Sequence, residues 1–355
     1  MLIAHQVVLL SAAKRTAYCC DYIATPRKSP ISCDPEAQFG WRNSGRAKLI
    51  NVCVCFSLNY FKSYIKVWMD MEKNGMYALL EAIEARARTN RARVAMGIRE
   101  PNPKTLESAW KAQELGYAQV VLVGNKKEID EIGTELEVVD TDDPEKVLSE
   151  LLVSRKVDAA IRGTAKASGT ISNLKEALGM KRVCRLALLL TADGTPFFLA
   201  PVGIDEGNTI ADKLRMITLG AEHIRRLGVE PVVGVLSGGR MGDIGRDRRV
   251  DRTLADGEFV TGRALELGIN ARHYTILIED AIKESNFIIA PDGISGNLIF
   301  RTIAFLGGGD GLGAPVLMDD YVFVDTSRVG GHFTKAIMLA SALSYLHKER
   351  KKVIH

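Results

Sequence analysis

Ser327-Arg328 is the pair in this chain best suited to chemistry on an anion. An arginine holds a phosphate or carboxylate through two parallel N–H donors. A neighbouring hydroxyl can donate to the same group, or to an oxyanion forming beside it. The pair closes the stretch Asp325-Thr326-Ser327-Arg328, which follows the apolar run Tyr321 to Val324. Such a run, bounded by turn residues, predicts a buried strand, and open α/β sheets keep their ligand crevice at the carboxyl ends of strands. Ser327 and Arg328 are therefore the candidate catalytic residues. The plainer reading, a Ser-Arg turn at a strand end, is common in any protein.

Three further stretches combine small residues with hydrogen-bond donors at predicted strand ends. The first runs from Arg162 to Thr170 and supplies Arg162, Gly163, Thr164, Lys166, Ser168 and Thr170 as candidate anion-binding residues. Glycine removes the Cβ barrier to close backbone approach, and a helix start leaves free amides behind it. A solvated loop capping a helix is the alternative. The second stretch is Ser237-Gly238-Gly239-Arg240, with Ser237, Gly238 and Arg240 as candidates. The third is Pro291-Asp292-Gly293-Ile294-Ser295-Gly296-Asn297. Strand, tight turn and helix start predict backbone N–H groups aimed outward at Asp292, Ser295, Gly296 and Asn297, with the helix dipole behind them.

Regular elements must position these loops. Helices are predicted over Tyr77–Arg88, Pro103–Leu115 with Asn102 as cap, and Pro144–Val153. Strands are predicted at Arg93–Met96, Ala118–Val123, Glu137–Val139 and Asp158–Ile161. Their alternation implies parallel βαβ units with right-handed crossovers. Asp193-Gly194-Thr195, between Arg185–Leu190 and Pro196–Leu199, signals a hairpin. A long helix, Thr209–Leu227, and a strand, Pro231–Leu236, follow. Arg246, Arg248, Arg249 and Arg252, interleaved with acids, read as a solvated helix face. Gly309-x-Gly311-x-Gly313 follows a helix and lacks the dinucleotide spacing, so it is expected to be a flexible connection. A closing helix, Lys335–Leu346, has the small apolar character of one packed back on the sheet.

The stretch PDGISGNLIFRTIAFLGG resembles the strand–turn–helix of the phosphate acetyl/butyryltransferase superfamily, with its Pro-Asp, Ser-Gly-Asn and Leu-Gly-Gly in order. VDTSR resembles the closing Asp-x-Ser-Arg of that superfamily, and Gly163 onward its Gly-Ala loop. Within the superfamily the chain is most similar to the methanogen branch called methanogenesis marker protein 4, or MtxX, which is named for a methyltransferase subunit although its fold is that of the acyltransferases. The resemblance implies a two-domain α/β fold, isocitrate/isopropylmalate dehydrogenase-like, with the active-site cleft between domains. It places residues 69–180 plus 316–355 in the first domain and 181–315 in the second. It also implies a homodimer through the second domain. Two departures bear on activity. Transacetylases usually carry an Asp seven positions after the Ser, suited to act as base on a thiol, where this chain has Thr334. They carry an Arg before the Leu-Gly, where it has Phe305.

At 355 residues the chain suits two domains. The formal charge of +4 is misleading: residues 1–68 hold nine Lys/Arg against three Asp/Glu, and the remainder is net −2. The main body thus gives no basic surface for nucleic acid. Five of the six cysteines (Cys19, Cys20, Cys33, Cys53, Cys55) lie in that first segment, and Cys184 alone in the body, which fits a reducing cytoplasm. Residues 1–68 show neither period and read as a poorly ordered extension, with a natural start at Met69 or Met71. The apolar start is too short to span a bilayer. The six histidines show no metal-binding spacing, so no metal site is expected.

Three functions stay open. The chain is a subunit of a methyltransferase assembly, with corrinoid or pterin reached only through a partner. Or it is a phosphate acyltransferase with coenzyme A and phosphate as substrates and an altered base. Or it is a non-catalytic anion- or nucleotide-binding regulator. No covalently bound cofactor is expected. The expected partners are a small anionic substrate and methyltransferase subunits, with neither nucleic acid nor membrane.

Overall fold

Strand residues in this chain feed two cores by simple alternation, and that alternation organises the fold. In β1 (Ala92–Gly97), Val94 and Met96 enter one apolar cluster while Ala95 enters another on the opposite face. The same holds farther along the sheet, where Phe287 and Ile289 of β9 (Phe287–Ile289) face one way and Ile288 the other. A sheet buried on both faces needs helices on both, which is what βαβ crossovers supply.

The fold is that of a computed structural model, which describes residues 75–327 and 333–354. The readings made on residues 1–68, the start at Met69 or Met71 and the role given to Arg328 lie outside the described residues. Helix α1 spans residues 75–90. Then come β1, α2 (Pro103–Glu114), β2 (Ala118–Gly124), α3 (Lys126–Ile132), β3 (Glu137–Asp140), α4 (Pro144–Val153), β4 (Ala159–Ile161) and α5 (Ala167–Ala177). The hairpin β5 (Ala187–Leu190) and β6 (Pro196–Ala200) leads to α6 (Ile210–Arg226), β7 (Val232–Leu236), α7 (Arg248–Glu266), β8 (Asn270–Thr275), α8 (Ile278–Glu284) and β9. The chain ends with α9 (Gly293–Phe305), β10 (Asp310–Pro315), β11 (Phe323–Asp325) and α10 (Thr334–Ile354).

All eleven strands form one sheet in the order β3-β2-β1-β4-β11-β10-β5-β6-β9-β7-β8. β11 pairs in parallel with β4, so the C-terminal segment returns to the first four strands. Antiparallel β10 then joins β11 to β5. Helices α1, α2, α6 and α10 pack on one face; α4, α5, α8 and α9 cover the other.

Helix starts follow the local chemistry. Asn102 Oδ1 accepts from Thr105 N at 3.0 Å, with Pro103 in the first turn. Thr209 caps α6 by accepting from Asp212 N at 3.1 Å. The glycine-rich stretch 309–313 differs from the flexible connection expected of it: from Asp310 onward it is strand β10. Glycine there allows close packing, since a Cβ on Gly313 would lie 2.5 Å from a Val324 methyl and one on Gly309 2.4 Å from Leu190 O. Strand β8 and helix α8 carried no sequence expectation. Among the described residues no helix is long and apolar enough to cross a membrane.

Candidate functional site

The carboxyl ends of β4 and β11, the approach to β5 and the loop after β6 meet at the floor of a cavity of about 860 Å³. Helix α5 forms one wall through Ser168, Ile171, Ser172 and Lys175, spaced to share one helix face. Helix α9 forms another wall through Asn297, Phe300, Arg301, Ala304 and Phe305, again one face. Thr326 and Ser327 lie at the floor, and Phe333 and Ala336 close the cavity from the start of α10.

Four charged groups are locked together beneath it. Arg162 Nε donates to Asp325 Oδ1 through a short ion pair, and its Nη1 donates to Ala165 O at 2.9 Å. Arg185 Nη1 donates to Asp325 Oδ2 at 2.7 Å, and its Nε donates to Glu206 Oε1 at 2.6 Å. Burial alone drives the Asp325 pKa up, but the two guanidiniums outweigh it and hold the carboxyl below its ordinary value. Burial likewise opposes the charge on Arg185, yet Asp325 and Glu206 shift its pKa upward. For Glu206 burial wins and the pKa is raised, with Arg185 opposing. At the centre of the floor two guanidiniums thus face two carboxylates and their charges largely cancel; Arg162, Glu206 and Asp325 are buried, Arg185 nearly so, and the exposed Asp205 lies 3.5 Å from Arg185 Nη2.

The walls are not balanced. Lys175 on α5 and Arg301 on α9 line the cavity, and neither has an acidic partner among the described residues. Arg301 instead lies over the Phe305 ring, 5.3 Å from its centroid. Arg301 stands four residues before Phe305, the position where the resemblance expects an arginine.

The residues singled out in sequence distribute unevenly. Arg162, Ser168, Asn297 and Ser327 line the cavity. Gly163 has φ +61°, and a Cβ there would lie 2.2 Å from Gly97 O, so its role is to let β4 pass close to β1. Thr164 Oγ1 accepts from Arg99 N at 2.9 Å, and Lys166 N donates to Glu145 Oε1 at 2.7 Å. Thr170 is buried and its hydroxyl donates to Lys166 O. These hold the loop and leave α5 to face the cavity; its N-cap Lys166 makes no side-chain hydrogen bond to the first turn.

The start of α9 requires a correction. Its amides were expected to point outward, yet Ser295 N donates to the Asp292 carboxylate at 2.7 Å and Gly293 N to Glu206 O at 3.0 Å. A capping carboxylate satisfies the donor and places negative charge where an anion would sit. Asp292, Ser295 and Gly296 do not line the cavity, and Asn297 Nδ2 donates to Val202 O at 2.9 Å. Ser237, Gly238 and Arg240 are also elsewhere, at the end of β7. Ser237 Oγ lies 3.0 Å from His273 Nε2, and Gly238 N donates to Thr253 Oγ1. Arg240 N donates to Asp243 Oδ2 at 2.8 Å. Thr334 opens α10 with its hydroxyl donating to Ser108 O at 2.8 Å. Sequence reasoning missed Arg185, Glu206, Lys175 and Arg301. Only Arg301 had a usable signal, its position four residues before Phe305.

Comparison with known proteins bears on the fold and the family. No protein-family model matches the chain. A protein of Methanosarcina mazei named "Putative methyltransferase mtx subunit X" is 92% identical over 280 residues, 79% of this chain and 100% of that one. Its namesake in Methanosarcina acetivorans is 94% identical over 279 residues, again 79% and 100%. An uncharacterized methyltransferase of Methanopyrus kandleri is 36% identical over 258 residues, 71% of this chain and 99% of that one. Among solved structures, the EutD phosphotransacetylase from Staphylococcus aureus matches with a TM-score of 0.56 at 15% identity, over 76% of this chain and 99% of that one. A branched-chain phosphotransacylase from Enterococcus faecalis also matches at 0.56, with 16% identity over 71% and 98%. The fold is therefore that of the phosphotransacetylases, and by its identity to full-length relatives the chain belongs to the mtx subunit X family of methanogens.

Proposed function

We propose that this chain is the subunit of a methyltransferase assembly that takes a small anionic substrate into the cleft between α5 and α9. The observation that carries the reading is the pair Lys175 and Arg301, cations on two different helices lining the cavity and without acidic partners among the described residues, above a floor whose own charges largely cancel. An anion bound between them gains charge–charge attraction from both, and the surrounding Ile171, Phe300, Ala304 and Phe305 suit an apolar portion of the same molecule. The family name of the relatives supports membership of an assembly. In this reading residues 69–180 plus 316–355 and residues 181–315 are the two lobes of the cleft, and the chain forms a homodimer.

A second reading, acyl transfer between coenzyme A and phosphate, is favoured by one observation: Arg301 over Phe305 restores a cation to the wall near Ser327. Two experiments on the full chain separate the readings. Affinity purification from a methanogen extract is expected to recover corrinoid or pterin methyltransferase components, and recovery of the chain as a homodimer alone would contradict the first reading. A coupled assay for free thiol and acyl phosphate, run over several acyl-coenzyme A substrates with phosphate, tests the second. Turnover lost in Arg328→Ala would establish acyl transfer and demote methyl transfer.

A further inference from the structure

Glu206 is the less well paired of the two buried carboxylates beneath the cleft. Its side chain is 4% exposed and does not line the cavity. Oε1 accepts from Arg185 Nε at 2.6 Å, while Oε2 has only two longer contacts, from Gly203 N at 3.3 Å and Arg185 N at 3.4 Å. Its one cation is shared, since Arg185 Nη1 donates to Asp325 and the exposed Asp205 lies 3.5 Å from Nη2. Asp325 has both guanidiniums and accepts from Thr326 N at 2.9 Å as well. Burial opposes the charge on each. It wins at Glu206, whose pKa is raised, and loses to the two guanidiniums at Asp325, whose pKa is lowered.

Few charged groups surround this carboxyl. Arg185 reaches it from the approach to β5, and Asp205 belongs to its own loop. Arg162, just after β4, and Asp325, at the end of β11, lie behind Arg185. The start of α9 offers it a backbone donor, Gly293 N to Glu206 O at 3.0 Å, and Asp292 there is occupied in capping Ser295 N. A Cβ on Gly293 would lie 1.7 Å from Gly203 O, so the loop is pressed onto α9 with the Glu206 side chain beneath it.

Arg162 and Arg185 both line the cavity. With Glu206 ionised, these two cations face two carboxylates. With Glu206 protonated they face Asp325 alone, and one positive charge is left uncompensated beneath an anion in the cleft. Buried charges are poorly screened, so the anion and the proton favour each other. Linkage makes the effect reciprocal: the anion strengthens the hold of the carboxyl on its proton, and the proton strengthens the hold of the cleft on its anion. We propose that the cleft takes up a proton together with its anion and that Glu206 receives it, which rests on the cleft being the anion site. The proton comes from solvent and returns there when the anion leaves. Affinity therefore falls as pH rises even for an anion whose own charge is constant.

Inorganic sulfate, whose charge does not change near neutral pH, is the probe. Calorimetric titration into the full chain at pH 5.5, in two buffers of different ionisation enthalpy, reads the protons taken up per anion. Wild type is expected to take up at least about 0.3 proton, and to lose at least about fivefold in affinity between pH 5.5 and 7.5. Glu206→Gln, which removes the titrating group, is expected to take up less than about 0.1 proton and to change in affinity by less than about twofold over that range. Uptake is read on wild type alone, so the test stands even if Glu206→Gln folds poorly. Sulfate binding without proton uptake, or uptake undiminished in Glu206→Gln, overturns the assignment and leaves the cleft reading intact. No sulfate binding, or binding unchanged in a Lys175→Ala, Arg301→Ala double variant, overturns the cleft reading itself, and this assignment with it.

Discussion

Arg185 Nη1 lies 2.7 Å from Asp325 Oδ2, and through this contact the approach to β5 is tied to the end of β11 directly beneath Ser327. The same guanidinium reaches Glu206, so one side chain fixes both the cleft floor and the loop that exposes Asp205. Removing one partner of a buried ionic cluster leaves the others unpaired, which costs far more than the cluster contributes over an apolar replacement. Arg185→Leu is therefore expected to lower stability by about 3–5 kcal/mol in urea unfolding. Arg185→Lys should recover less than half, because an ammonium cannot span two carboxylates as a fork. A loss under about 1 kcal/mol for the leucine variant would mean the cluster is dispensable.

Glycine substitutions should separate by location. At Gly293 a Cβ meets the Gly203 carbonyl at 1.7 Å, a backbone atom that cannot step aside. Gly293→Ala is expected to cost about 3 kcal/mol or more, as overpacking does when nothing yields. Gly262 sits within α7 with no atom within 4 Å of its added Cβ. Gly262→Ala should stabilise by roughly 0.5–1 kcal/mol through helix propensity. Thermal unfolding of the two variants checks both signs.

Acid sensitivity should carry the mark of His223. Burial, helped by Arg226, pushes its pKa down from 6.5 to about 4, so the folded protein holds the ring neutral. The unfolded chain takes up the proton first as pH falls. Stability contributed by the neutral ring is complete above about pH 6.5 and is lost as pH falls toward 4, by roughly 1–3 kcal/mol. His223→Leu is expected to flatten the stability curve between pH 6.5 and 4. An unchanged slope there would place the acid sensitivity on other groups.

Much of this architecture is legible in the chain, for a physical reason. The apolar run Ala118–Val123 and the caps at Asn102 and Thr209 are local signals, written in neighbouring residues. Strand β8 is an edge strand whose residues Asn270–Thr275 carry no apolar run, so nothing marked it. Strand β10 was hidden by glycines that serve packing against Val324 and Leu190. The floor of the cleft was hidden more deeply. Arg162, Arg185, Glu206 and Asp325 are far apart in sequence, and only the strand order brings β4, β11 and the approach to β5 together. The α9 start misled because Asp292 serves its own helix as a cap, which the motif Pro-Asp-Gly does not reveal.

The most direct test of the cleft as an anion site is calorimetric titration of coenzyme A into the full chain and into a Lys175→Ala, Arg301→Ala double variant. Both side chains lie at the cavity wall without acidic partners among the described residues, so their removal should leave the fold intact. The wild type should bind at one site, more weakly as salt is raised, and the double variant at least about tenfold more weakly, as expected when two cations facing an anion are removed. Equal affinity in both proteins would contradict the account and move the search for an anion site away from α5 and α9.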